Sequence, residues 1–192
     1  MRLHLVDCNP EIVQAWKSAF ARHPEIDISE GDILTMATTC IVSPANSYGF
    51  MDGGIDAQYT EFFGLRPQTE LQAHIATKGE LLIGASVVVR TGHERIPYMI
   101  CAPTMTTPGA VPRANAFYAM AAVLNAAARN LERLPDVFCP GLCTGTGRVS
   151  AADAASEMAH ASPTGSVSRH LRSENKTGLR RRDARFLFRH PR

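Results

Sequence analysis

The chain has 192 residues, 45% of them hydrophobic, which is the size of one domain with an appendage and the composition of a globular protein able to bury a core. No apolar run approaches the roughly 18 residues needed to cross a bilayer, and the N-terminal MRLHLVDCNPEIV lacks the basic and long apolar regions of a signal peptide, so no membrane association is expected and the expected location is the cytoplasm. The net charge of +2 conceals an asymmetry: residues 161–192 hold nine Lys/Arg against two Asp/Glu, leaving residues 1–160 at −5, which argues against nucleic-acid binding by the body and leaves it open for the basic tail.

In chain order, residues 1–7 read as a strand. Asn9-Pro10 then opens a helix over 10–22, with Asn9 as N-cap and Pro10 at the first helical position. Ile12, Val13, Trp16 and Phe20 recur at three- and four-residue spacing and give that helix one buried face. Residues 26–29 are a short strand ending in Glu30-Gly31-Asp32-Ile33, and residues 39–43 are another. Helices are predicted over 54–63 and 67–78. The apolar runs ASVVVR (85–90) and YMICA (98–102) look like strands covered on both faces. A long alanine-rich helix follows over 113–134, then a strand over 136–140, then a helix capped by Ser150 and running to His160. Strands alternating with helices indicate an α/β fold with a mixed, mostly parallel sheet and helices on both sides. Residues 1–160 are thus expected to form one domain. Residues 161–192 are polar and basic and are expected to be largely disordered, with Phe186-Leu187-Phe188 as a potential edge strand.

Two glycine-rich segments, SPANSYGFMDGGID (43–56) and PGLCTGTGRVS (140–150), each leave the carboxyl end of a predicted strand and precede a helix. Ligands in open α/β sheets bind at those ends. Glycines let the backbone approach a ligand, successive N–H groups make an anion nest, and a helix N-terminus adds partial positive charge. Neither loop carries a lysine or the Walker ending, and the first strand–helix turn, Asp7-Cys8-Asn9-Pro10, lacks the dinucleotide fingerprint. A diphosphate held by main-chain amides is the reading that fits. Asn46 is either a turn residue or a partner for a ribose hydroxyl. Asp56 is either a first-turn carboxylate matched to the helix dipole or a group that accepts from a sugar hydroxyl or positions a water. Asp32 either caps a turn or accepts from an adenine amine. Cys143 is a small apolar residue or, beside a helix N-terminus, an activated thiol. The five cysteines are expected to stay reduced, and no four-ligand metal set is apparent, so neither a metal nor a cofactor is expected.

Gly31-Asp32-Ile33, Ser43-Pro44-Ala45-Asn46 with Gly53-Gly54-Ile55-Asp56, and Pro140-Gly141-Leu142-Cys143-Thr144-Gly145-Thr146-Gly147, in this order, resemble the macro domain family. Tyr-Gly-Phe-Met-Asp-Gly-Gly-Ile-Asp and the later Ala102-Pro103-Thr104-Met105 look closest to a bacterial and phage subgroup. The resemblance implies a three-layer α/β/α sandwich that binds ADP-ribose, free or on an ADP-ribosylated protein. It implies that Asp32 and Ile33 meet adenine, and that Asn46 and Asp56 meet the distal ribose. Gly53, Gly54 and Ile55 would hold one phosphate, and Leu142, Thr144, Gly145, Thr146 and Gly147 would wrap the other side of the diphosphate. Hydrolytic members place an activating aspartate at the position of Asp56, so the alternative activity is ADP-ribosyl hydrolysis or ADP-ribose 1''-phosphate processing. The chain departs from those members at Met51-Asp52, where they carry glycine, and at Gly147-Arg148, where they carry an aromatic residue that only Tyr48 or Phe50 could replace. A methyltransferase-like nucleotide-binding fold is the alternative from another class, and the missing fingerprint counts against it.

Overall fold

The computed structural model describes residues 1–162; the basic tail and its Phe186-Leu187-Phe188 segment lie outside the described residues. Six strands form one sheet: β1 (Arg2–Asp7), β2 (Ile26–Glu30), β3 (Cys40–Ser43), β4 (Val87–Arg90), β5 (Tyr98–Cys101) and β6 (Asp136–Cys139). Their spatial order is β2-β1-β6-β3-β5-β4. All neighbours run parallel except β4, which lies antiparallel to β5. The sheet is therefore mixed and mostly parallel, as the strand–helix alternation implies.

Alternation along each strand sends side chains to two separate cores. Leu3, Leu5, Cys40, Val42, Val137 and Cys139 enter one, with Trp16 of α1 (Pro10–Ala19), Met120 and Val123 of α5 (Ala114–Ala128), and Met158 of α6 (Ala151–His160). Val6, Ile41, Met99 and Phe138 enter the other, with Ile33 of α2 (Ile33–Met36), Tyr59 of α3 (Gly54–Phe63) and Leu71 of α4 (Arg66–Lys78). Helices thus cover both faces, giving the three-layer α/β/α sandwich. Trp16 is completely buried, and its indole N–H donates to Met158 Sδ at 3.4 Å, which seats α1 against α6.

Local rules explain most boundaries. Asn9 caps α1 by accepting from Glu11 N at 2.9 Å, with Pro10 at the first position. Ser150 caps α6 by accepting from Asp153 N. Two helices stop sooner than their periodicity suggests. α1 ends at Ala19, with Phe20 as its cap. α5 ends at Ala128 rather than near residue 134. There the Asn130 side chain bonds back to Ala126 O, competing with the ladder, and Pro135 disfavours helical geometry at Leu134. Leu134 turns into the core instead, and Pro135 O accepts from Arg2 N, starting β1 beside β6.

A candidate amide-lined ligand cleft

The strand order creates the site. β6 lies between β1 and β3, so the segments leaving the carboxyl ends of β1, β3 and β6 meet at one edge of the sheet, and β2 adds Gly31 and Asp32 beside them. They enclose a cleft of about 370 Å³. Asp32, Ile33, Asn46, Gly53, Gly54, Ile55, Asp56, Thr144, Gly145, Thr146 and Gly147 all line it. Leu142 does not: its side chain is completely buried in the core with Trp16 and Val137.

The second loop keeps its donors open. Its ends are pinned, with Gly141 N donating to Asp7 Oδ2 at 3.1 Å, Arg148 N to Gly145 O at 3.0 Å and Val149 N to Cys143 O at 3.0 Å. Between them, the amides of residues 142–147 have no partner among the described residues. Cys143 adopts a left-handed backbone (φ 66°), a conformation costly for a residue with a Cβ. Gly147 leaves no choice of residue, because a Cβ there would lie 2.5 Å from Cys143 O. A Cβ on Gly145 would meet nothing within 4 Å, so that glycine faces open space.

The first loop ends at the N-terminus of α3. Gly53 is its N-cap and offers no side chain, so the first-turn amides of Gly54, Ile55 and Asp56 are uncapped. The two loops are close: a Cβ on Gly54 would sit 3.8 Å from Thr146 Oγ1. Two sets of main-chain donors without partners among the described residues therefore lie on neighbouring walls of one cleft. Among the described residues no Lys, Arg or His lines the cleft, whereas Asp7, Asp32, Asp52 and Asp56 all do. Arg148, the cation nearest in sequence, is exposed outside it.

Several polar side chains are committed within the polypeptide. Asn46 closes its own turn: Nδ2 donates to Phe50 O at 2.7 Å, and Oδ1 accepts from Tyr48 N and Phe50 N. One Nδ2 hydrogen is left over. Asp32 caps α2, accepting from Leu34 N at 2.9 Å and Thr35 Oγ1 at 2.8 Å. Both turn readings therefore hold, and both residues still face the cleft. Ile33 N is a first-turn donor beside Asp32.

Asp56 differs from the other carboxylates. It is only 7% exposed, and Oδ1 accepts from Ser43 Oγ at 2.6 Å. Burial pushes its pKa up to about 7; the Ser43 hydrogen bond opposes the rise and the Asp52 charge adds to it. Cys143 is buried as well, and loss of solvent raises its thiol to about 12, so it is a small apolar residue and not an activated thiol. All five cysteines are free.

Asp7, Thr104 and Met105 line the cleft although the sequence assigns them no ligand role, and Phe50, a candidate replacement for the missing aromatic residue, lines it too. Asp7 ties Asn9 N and Gly141 N together, joining the first strand's exit to the second loop across 134 positions. Its position at a strand's carboxyl end was the available signal. Thr104 braces the first loop by donating to Pro44 O at 2.8 Å. Phe50 is 53% exposed and lines the cleft, whereas Tyr48 does not.

Fold and cleft together define a three-layer α/β/α domain with an amide-lined cavity at the carboxyl ends of parallel strands. Residues 42–158 match the Macro domain family, and the chain belongs to that family. An uncharacterized protein of Aeropyrum pernix is 30% identical over 135 residues, which cover 70% of this chain and 68% of that protein. The macrodomain of Mycobacterium tuberculosis DarG superposes with a TM-score of 0.57 at 21% identity, covering 77% of this chain and 88% of that one. A variant Oceanobacillus iheyensis macrodomain solved with ADPR gives 0.58 at 17% identity, covering 68% and 72%. At these identities the two structures attest the fold.

Proposed function

We propose that the cleft binds ADP-ribose, free or attached to protein, with the diphosphate between the two loops. One observation carries this reading: a loop whose amides at residues 142–147 have no partner among the described residues lies beside the uncapped N-terminus of α3, with Thr146 next to Gly54. An anion there gains hydrogen bonds and the helix dipole without needing a cation. On this reading Asp32 and Ile33 receive adenine. Gly53, Gly54 and Ile55 hold one phosphate, and Leu142 (through its main chain), Thr144, Gly145, Thr146 and Gly147 hold the other. Asn46 and Asp56 meet the distal ribose, and Phe50 supplies an apolar face beside it. Family membership and the ADPR-bound Oceanobacillus relative support the choice of ligand.

Calorimetric titration with ADP-ribose, ADP and AMP tests it. ADP-ribose is expected to bind, ADP to retain part of the affinity, and AMP, with one phosphate, to bind at least about tenfold more weakly, the loss of one or more charge-assisted contacts. Absence of binding at millimolar ADP-ribose refutes the reading.

The buried Asp56 favours a second reading, hydrolysis of an ADP-ribosyl bond. A carboxylate with a pKa near neutrality is suited to take a proton from an attacking water. The water oxygen bonds to the anomeric carbon, the bond to the leaving group breaks with its electron pair, and the proton passes from Asp56 to that group. Release of ADP-ribose from a modified protein, lost in Asp56→Ala while ADP-ribose binding persists, is the expected result. Retained turnover removes Asp56 from this role.

A further inference from the structure

The geometry points to Ser43 as the positioning residue for Asp56: its hydroxyl occupies Oδ1 and leaves Oδ2 as the single carboxylate atom presented to a ligand or water. This inference deepens the hydrolytic reading and rests on it for its functional meaning, though not for its direct test. Ser43 is the last residue of β3 and is completely buried. Its carbonyl accepts from Ala102 N at 3.0 Å, and Pro44 behind it holds the backbone extended. The hydroxyl therefore projects from a rigid strand end, 2.6 Å from Asp56 Oδ1. Among the described residues Oδ2 has no partner and no buried side-chain oxygen or nitrogen lacks one, so Oδ2 is the atom that reaches the cleft.

Other groups around Asp56 cannot take over this task. Asp52, on the loop before α3, only adds negative charge. Tyr59, one turn along α3, spends its hydroxyl on Val42 O at 3.2 Å. Cys101, on β5, keeps its proton in a fully buried site beside Ser43. Asp7, Cys8, Asp32 and Cys143 complete the titratable groups that line the cleft among the described residues, and none makes a hydrogen bond to Asp56. Ser43 is thus the sole side-chain donor to this carboxylate among the described residues. A donor to the charged form favours ionisation, so Ser43 both orients Oδ2 and keeps Asp56 ionisable at neutral pH.

The test compares Ser43→Ala and Ser43→Thr with the parent protein. Carbon-13 NMR of the Asp56 carboxyl reads its titration directly, whether or not the protein turns over substrate. The midpoint is expected to move alkaline by about one pH unit in Ser43→Ala, the scale of one lost hydrogen bond to the charged form, and to stay in place in Ser43→Thr, which keeps the hydroxyl. The acid limb of the rate profile for ADP-ribosyl release is expected to move with it, so that Ser43→Ala recovers at high pH. An unmoved midpoint in Ser43→Ala overturns the inference, as does a rate loss equal at every pH. If the parent protein releases no ADP-ribose, the hydrolytic reading fails while the NMR midpoints still decide the role of Ser43.

Discussion

Replacing Asp56 by Asn is expected to stabilise the protein, by an amount that depends on pH. In the unfolded chain this carboxyl ionises near 3.8, and in the folded protein near 7. Below both values it is neutral in both states and costs nothing. As pH rises between them, the unfolded chain releases the proton while the folded protein holds it, so folding stability falls. Above the folded value the loss is complete and constant. At about 1.4 kcal/mol per pH unit the full gap is worth about 4 kcal/mol. Asparagine avoids this cost, because its oxygen can still accept from Ser43 Oγ and its nitrogen faces the cleft. Allowing for the amide's own burial, the gain near pH 8 is about 2–4 kcal/mol, a rise of roughly 5–15 °C in melting temperature for a chain this long. Urea denaturation of both proteins from about pH 4 to 8 measures it, and the difference between them cancels every other titrating group. The gain should vanish towards the acid end and level off above neutrality. A difference constant across the range would show that Asp56 titrates as an ordinary exposed carboxyl, and would refute the reasoning.

Gly145→Val is expected to fold normally, since a Cβ there meets nothing, and to weaken ADP-ribose binding at least tenfold in calorimetry by filling the gap between the loops. Gly147→Ala is expected to lower the melting temperature, because its Cβ would strike the Cys143 carbonyl, which is main chain and cannot swing aside. Trp16→Ala should cost about 3–5 kcal/mol in urea unfolding by emptying the seam between α1 and α6. Asp52→Asn should tighten ADP-ribose binding modestly, by about 0.2–1 kcal/mol, because Asp52 is exposed and its charge is screened.

Much of the site could be read from local chemistry. Asn9-Pro10 and Ser150 cap helices as their types require, and Asp32 caps the one-turn α2 that was foreseen only as a capping turn. Glycine-rich exits after β3 and β6 announced a backbone that approaches a ligand. Pairings between distant residues were not legible. Nothing local says that β6 inserts between β1 and β3, yet that order is what brings Gly54 within reach of Thr146. The Asp7–Gly141 bond spans 134 positions and follows from topology, whereas the Ser43–Asp56 bond joins the two ends of the first loop across 13 positions and follows from how that loop folds back. Leu142 shares the segment of the cleft-lining residues, but its apolar side chain has a core within reach and turns inward. Alanine-rich periodicity carries no stop signal and so runs α5 past its end, and the stop comes from Asn130 and Pro135 acting through bonds to other residues.

The charge of the cleft constrains how any anion could be held there. The four aspartates that line it, with no cation beside them among the described residues, would repel a free diphosphate at long range. Attraction must therefore come at contact distance, from donors whose energy depends on alignment more than on net charge. Open amides of the second loop and the α3 N-terminus supply such donors, and their cost is already met by the fold: a left-handed Cys143, a glycine-only Gly147 and a helix left uncapped. Binding of this kind should depend only weakly on ionic strength, and added salt should if anything strengthen it by screening Asp52 and Asp32. Calorimetric titration of ADP-ribose at low and physiological salt distinguishes the cases. A steep loss of affinity with salt would mean that cations hold the phosphates, and the amide-based account of this cleft would be wrong.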